Sequence, residues 1–142
     1  MKLLAIIGVT ALVFAASAYA YIYNGTSGAD TIIGSQYADT IDGKGGGDFL
    51  DGRGGGDIVY GRDGADDIYG GGGSDRLYAG SGSGQDLIFA EDGGDTVGMD
   101  NGKHDVAVGG DGQDTVYADS SATDDWTGFE KVVVNGTCIQ GC

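Results

Sequence analysis

Aspartate recurs every nine residues through Asp30, Asp39, Asp48, Asp57, Asp66 and Asp75. Asp86, Asp95, Asp105 and Asp114 continue the series at intervals of eleven, nine, ten and nine. Two positions after each stands Ile32, Ile41, Leu50, Val59, Ile68, Leu77, Ile88, Val97, Ala107 or Val116. Five positions before most of them stands a glycine: Gly25, Gly34, Gly43, Gly52, Gly61, Gly70 and Gly109. Ten units in register restrict the chain to a repeat architecture, in which each unit buries its face only against its neighbours. A unit reads as a turn of about six residues and a strand of about three, the strand period of two sending its middle apolar residue inward. Two units, eighteen residues in the regular stretch, make one coil. Stacked coils pair their strands in parallel and bury a narrow aliphatic ladder.

Composition alone points the other way. The chain has 31 glycines and no proline, so its unfolded state has much entropy to lose. Acidic side chains number 22 against 7 basic ones, which suggests disorder and argues against nucleic acid or an acidic membrane surface as partner. Folding requires something cationic among the carboxylates. The glycine turns supply carbonyl oxygens beside an aspartate at a fixed place, an oxygen-only setting suited to a hard cation such as Ca²⁺. Turns on one side stack at every second unit. One series is Asp30, Asp48, Asp66, Asp86 and Asp105; the opposite series is Asp39, Asp57, Asp75, Asp95 and Asp114. An ion clamped between adjacent turns, taking a carboxylate from each, gives at most about eight sites, fewer if the end turns are incomplete.

These units resemble the glycine- and aspartate-rich nonapeptide of the RTX family, the calcium-binding repeats of hemolysin type. The resemblance covers residues 25–117 and implies an all-β, right-handed parallel β-roll solenoid. It implies two nonapeptide units per coil, calcium in the turns, and folding triggered by extracellular calcium. Some units depart from the pattern. Lys44, Arg53 and Arg62 take the second turn position instead of glycine, and Tyr37 and Lys103 replace a later glycine, which predicts weaker binding in those last two turns. Asp63, Asp92 and Asp111, in mid-turn, either add a ligand or face water.

The ends differ from the repeat. Residues 1–20 carry Lys2, a short apolar run and Ala18-Tyr19-Ala20, the pattern of a secretory signal peptide cleaved after Ala20. Its loss lowers the basic count to 6 and brings the mature charge to about −16, with no membrane span left. The roll is expected over 21–117, and 118–142 as a degenerate final unit or cap. VVVNGT at 132–137 echoes YIYNGT at 21–26, so the tail reads as the start of a further unit. Uncapped ends of this kind stack head to tail into a filament. Cys138 and Cys142 suit an intrachain disulfide or a link between stacked subunits. Asn24 and Asn135 match the N-glycosylation acceptor pattern, or serve turn chemistry alone.

The outward strand positions carry Tyr60 and Tyr78 on one face and Tyr69 and Phe89 on the other, with Tyr117 farther along the first. Such ladders contact sugars or another protein, or stabilise neighbouring strands. No HExxH or GxSxG occurs, and the single histidine, His104, offers no triad. An enzyme is therefore not expected. The functional expectation is a secreted or cell-surface calcium-binding structural repeat protein that assembles end to end into an extracellular filament or matrix. The alternative is a monomeric calcium-dependent adhesin or glycan-binding module.

Overall fold

The computed structural model describes residues 4–5, 19–99, 104–118, 124–134 and 136–142. The described residues form fifteen strands and no helix, so none is long and apolar enough to cross a membrane as a helix. The strands are β1 (Leu4–Ala5), β2 (Ile22–Asn24), β3 (Thr31–Ile33), β4 (Thr40–Asp42), β5 (Phe49–Asp51), β6 (Ile58–Arg62), β7 (Asp67–Gly73) and β8 (Arg76–Gly80). They continue as β9 (Leu87–Gly93), β10 (Thr96–Met99), β11 (Val106–Gly112), β12 (Thr115–Ala118), β13 (Asp125–Thr127), β14 (Lys131–Val134) and β15 (Thr137–Gln140).

Consecutive units fall alternately into two sheets. A nine-stranded sheet runs β1-β2-β4-β6-β8-β10-β12-β14-β15, and a six-stranded sheet runs β13-β11-β9-β7-β5-β3. Every pairing is parallel except that of β14 with β15. This is a parallel β-roll with two units per coil. The apolar residue two places after each repeat aspartate is buried, as the strand period requires. In the nine-stranded sheet Tyr23, Ile41, Val59, Leu77, Val97, Val116 and Val132 follow one another in register. Ile32, Leu50, Ile68, Ile88, Ala107 and Trp126 do so in the other. Ala79, Ala90, Met99 and Ala118, two residues farther on, add a second inward row.

The longer intervals leave the ladders intact. The extra residues after Tyr78 bulge from the turn, and Asp67 still pairs with Leu87 and Tyr69 with Phe89. Lys44, Arg53, Arg62 and Glu91 keep the left-handed backbone of a glycine, at φ of 73, 72, 80 and 72°. That conformation costs an ordinary residue about 1–2 kcal/mol, which the neighbouring coils offset. At Gly46 and Gly55 no other residue fits, because a Cβ would run into the backbone of Gly28 or Tyr37 in the preceding coil.

The tail corrects one expectation. Val132 pairs with Val116 as Tyr23 pairs with Ile41, so 132–137 and 21–26 differ in register by two residues from their sequence echo. After β14 the chain turns back through Gly136, at φ 72°, and β15 runs antiparallel along the β14 edge. Gly136 and Thr137 therefore belong to a hairpin, whereas Asn24, Gly25 and Thr26 enter a repeat turn. Cys138 and Cys142 form an intrachain disulfide with a Cα–Cα distance of 6.1 Å. Asn135, Lys103 and nearly all of the expected signal peptide lie outside the described residues.

The aliphatic ladder is narrow, so each position matters. Leu50→Ala is expected to lower stability in saturating calcium by about 2–5 kcal/mol, read as a fall in the urea midpoint with an unchanged m-value.

Candidate metal centre

The repeat aspartates stand at the mouths of the turns, where each strand begins, and nine of the ten are buried; Asp30 in the first turn is half-buried. Their two oxygens have different surroundings. Oδ1 reaches across to the neighbouring coil and accepts the backbone N–H of the preceding aspartate of its own series. Asp30 N–H donates to Asp48 Oδ1 at 2.9 Å, Asp48 to Asp66 at 2.8 Å, Asp66 to Asp86 at 2.8 Å, and Asp86 to Asp105 at 2.9 Å. On the other side Asp39 donates to Asp57 at 2.6 Å, Asp57 to Asp75 at 2.7 Å, Asp75 to Asp95 at 2.8 Å, and Asp95 to Asp114 at 2.9 Å. The two series read from the spacing are thus the two series that the coils bring together.

Two members of these ladders lie beyond the sequence reading. Asp124 Oδ1 accepts the Asp105 N–H at 3.0 Å, and Glu130 Oε2 accepts the Asp114 N–H at 2.7 Å. The signal for Asp124 was present: it follows Asp114 by ten residues and precedes Trp126 by two. Glu130 precedes Val132 by two, but its longer side chain and short interval hide it.

Oδ2 is the other half of the site. In Asp48, Asp57, Asp66, Asp75, Asp95 and Asp114 it is buried with no hydrogen-bond partner. A buried carboxylate oxygen without a partner is costly, and six in one small chain need a cation or protons. Five of them, in Asp48, Asp57, Asp66, Asp75 and Asp114, lie beside the glycine that opens the turn and near a carbonyl of the next coil, while the turn of Asp95 opens on Ala90. A Cβ on Gly52 would stand 2.5 Å from Asp57 Oδ2 and 2.7 Å from the Gly70 carbonyl oxygen; one on Gly70 would stand 2.7 Å from both Asp75 Oδ2 and the Ala90 carbonyl oxygen. The opening glycine keeps this oxygen-lined cradle clear. Among the described residues no three His, Cys, Asp or Glu side chains converge, so such a cradle offers one carboxylate oxygen with backbone carbonyls. That donor set fits a hard divalent cation and offers nothing to a soft one.

The first two turns are built differently. Asp30 Oδ2 accepts the Thr26 N–H at 2.6 Å and its hydroxyl at 3.0 Å, and Asp39 Oδ2 accepts the Ser35 N–H at 2.7 Å and its hydroxyl at 2.8 Å. Thr26 and Ser35 occupy the second turn position and fill with a hydroxyl the role left open elsewhere. Asp63, Asp92 and Asp111 are exposed in mid-turn. His104 is also exposed, with Nδ1 at 2.8 Å from Gln85 Nε2.

The outward rings sit as the spacing predicts. Tyr60 and Tyr78 stack at 5.2 Å and 11°, and Tyr69 and Phe89 at 5.1 Å and 15°, with Phe49 tilted against Tyr69 at 5.3 Å. Tyr117 stands apart, because Gly98 separates it from Tyr78 in the row. Asn24 is half-buried in β2.

Burial drives the carboxylates toward protonation. Desolvation, reinforced by neighbouring aspartates and partly offset by the backbone N–H, pushes Asp57 and Asp86 up to about 7 and Asp48 and Asp95 to about 6. Desolvation also raises Asp66, Asp75 and Asp114. Without metal the folded chain binds more protons than the unfolded one, so its stability falls as pH rises from about 4 to about 7. Circular dichroism in chelator should therefore show more strand at pH 4.5 than at pH 8. The opposite trend would mean that these carboxylates are not buried without metal.

The repeat matches the family model of the RTX calcium-binding nonapeptide repeat in four copies, over residues 24–59, 51–85, 60–97 and 99–122. No curated protein and no solved structure matches significantly.

Proposed function

The chain belongs to the RTX calcium-binding nonapeptide repeat family, and from that premise we propose a calcium-folded structural module that works outside the cell. RTX nonapeptide repeats bind calcium, and their β-roll is a structural fold. The observation that carries the reading is the row of buried, unpartnered Oδ2 atoms at Asp48, Asp57, Asp66, Asp75, Asp95 and Asp114. In this reading each takes an ion together with carbonyls of its own turn and the next coil. Asp86 and Asp105 continue the row of Asp48 and Asp66. Asp30 and Asp39, closed by Thr26 and Ser35, hold ions weakly or not at all, which brings the number below the eight that spacing allows. Bound calcium supplies the positive charge that keeps the carboxylates ionised in a dry turn; the chain supplies the spacing.

Secretion through cleavage after Ala20 is part of the proposal, supported by the Cys138–Cys142 disulfide, a bond that persists outside the cytosol. Residues 118–142 serve in it as a final coil closed by a hairpin. End-to-end assembly is narrower than the sequence suggests. β15 covers the C-terminal edge of the nine-stranded sheet, so a second copy would join through the β3 and β13 edges of the six-stranded sheet. The glycan-binding alternative has less support, because the rings of each pair cover one face of each other and Arg62 lies over Tyr60. Tyr117, 43% exposed and beside Gly98, is the ring best placed for a sugar.

Two experiments test the proposal. Asp57→Asn keeps the acceptor for the Asp39 N–H but removes the charge; calorimetry should show at least a tenfold loss of calcium affinity at one site, with no loss of stability in chelator. Unchanged affinity would remove Asp57 from the ligand set. Electron microscopy of the secreted protein, with its mass beginning at Tyr21, should show end-to-end particles in calcium and none in chelator. Discrete monomers in both would sink the end-to-end contact and leave the calcium module standing.

A further inference from the structure

The two outward faces of the roll carry opposite charge. Strands of the six-stranded sheet contain no lysine or arginine, and their outward positions hold Asp51, Asp67 and Asp125. Strands of the nine-stranded sheet hold Arg62, Arg76 and Lys131, with Asp42 already paired to Arg62 at 3.1 Å. The spacing of the charges also matches. Asp67 leads through Leu87 and Val106 to Asp125, three strand steps away. Arg76 leads through Thr96 and Thr115 to Lys131, again three steps. At ~4.8 Å per step both pairs are about 14 Å apart, so they can oppose one another whichever way round the strands run.

Between its charges the six-stranded face is apolar. Phe49 and Leu87 are each 37% exposed, and Tyr69, Phe89, Val106 and Val108 are half-buried beside them. We propose that this face docks onto the nine-stranded face of a second copy, with Asp67 and Asp125 of one protein opposite Arg76 and Lys131 of the next. Because the two faces lie on opposite sides of one roll, the contact is heterologous and does not close, and copies accumulate in a stack. The six-stranded face spans only ~24 Å by ~10 Å, so each contact is of the weak class, strengthened by repetition. The proposal rests on the calcium-loaded roll. The mature charge of about −16 repels a second copy, and each bound calcium removes two negative charges from that balance, so stacking follows loading.

A charge swap tests the contact. In saturating calcium at pH 8, sedimentation velocity should show concentration-dependent oligomers. The double variants Asp67→Lys/Asp125→Lys and Arg76→Glu/Lys131→Glu should each associate at least tenfold more weakly. An equimolar mixture of the two should recover association, because the reversed faces complement each other. A monomeric wild type, undiminished association in either variant, or a mixture no better than its parts would overturn the contact. Arg76 and Lys131 lie outside the β3 and β13 edges of the end-to-end contact, so oligomers unaffected by Arg76→Glu/Lys131→Glu belong to it. Calcium-induced circular dichroism of every variant separates lost docking from lost folding, and a wild type that gains no structure with calcium overturns the underlying reading as well.

Discussion

The structure depends on a divided carboxylate. From Asp48 onward each repeat aspartate uses one oxygen to accept the backbone N–H of the aspartate one coil earlier, with distances of 2.6–3.0 Å along both edges. This bond fixes the vertical register of the coils and holds the turn mouth where the strand begins. It also draws a charged group out of water and leaves its second oxygen among carbonyls. Glycine at the turn opening, the narrow core and the tolerance of longer turns all follow from keeping that bond while leaving room beside it.

The energetics explain why a chain so poor in core and so rich in glycine can fold. A narrow aliphatic ladder cannot by itself offset the ordering entropy of 31 glycines. In the proposed reading the cation site makes the difference, since binding to a site that exists only in the folded chain is itself folding free energy. Protons compete for the same oxygens. Acid favours a protonated, metal-free roll, and neutral pH favours either calcium or unfolding, consistent with carboxylates held near 6 to 7. A net charge that disfavours the empty fold is brought toward neutrality by the ions that complete it.

Much of this is legible in the sequence, because a period of nine fixes both which residue faces inward and which aspartates share a side. Ile41, Val59 and Leu77 stack as that period requires, as do Asp48 and Asp66. What escaped the reading are places where one residue does the work of another. Thr26 and Ser35 look like ordinary turn residues, yet their hydroxyls close the first two cradles. Glu130 replaces an aspartate by reaching farther, and Asp124 was lost where the glycines fade. The tail misled because Gly-Thr serves a repeat turn and a hairpin equally well, and only pairing partners distinguish the two.

The central claim is that the buried oxygens require a cation for the roll to form at neutral pH. Far-UV circular dichroism of the purified protein at pH 7.5, titrated from chelator into calcium, addresses it directly. The expected result is a cooperative gain of strand signal that reverses on adding chelator and weakens as the pH falls. A full strand spectrum in chelator at pH 7.5, unchanged by calcium, would contradict it.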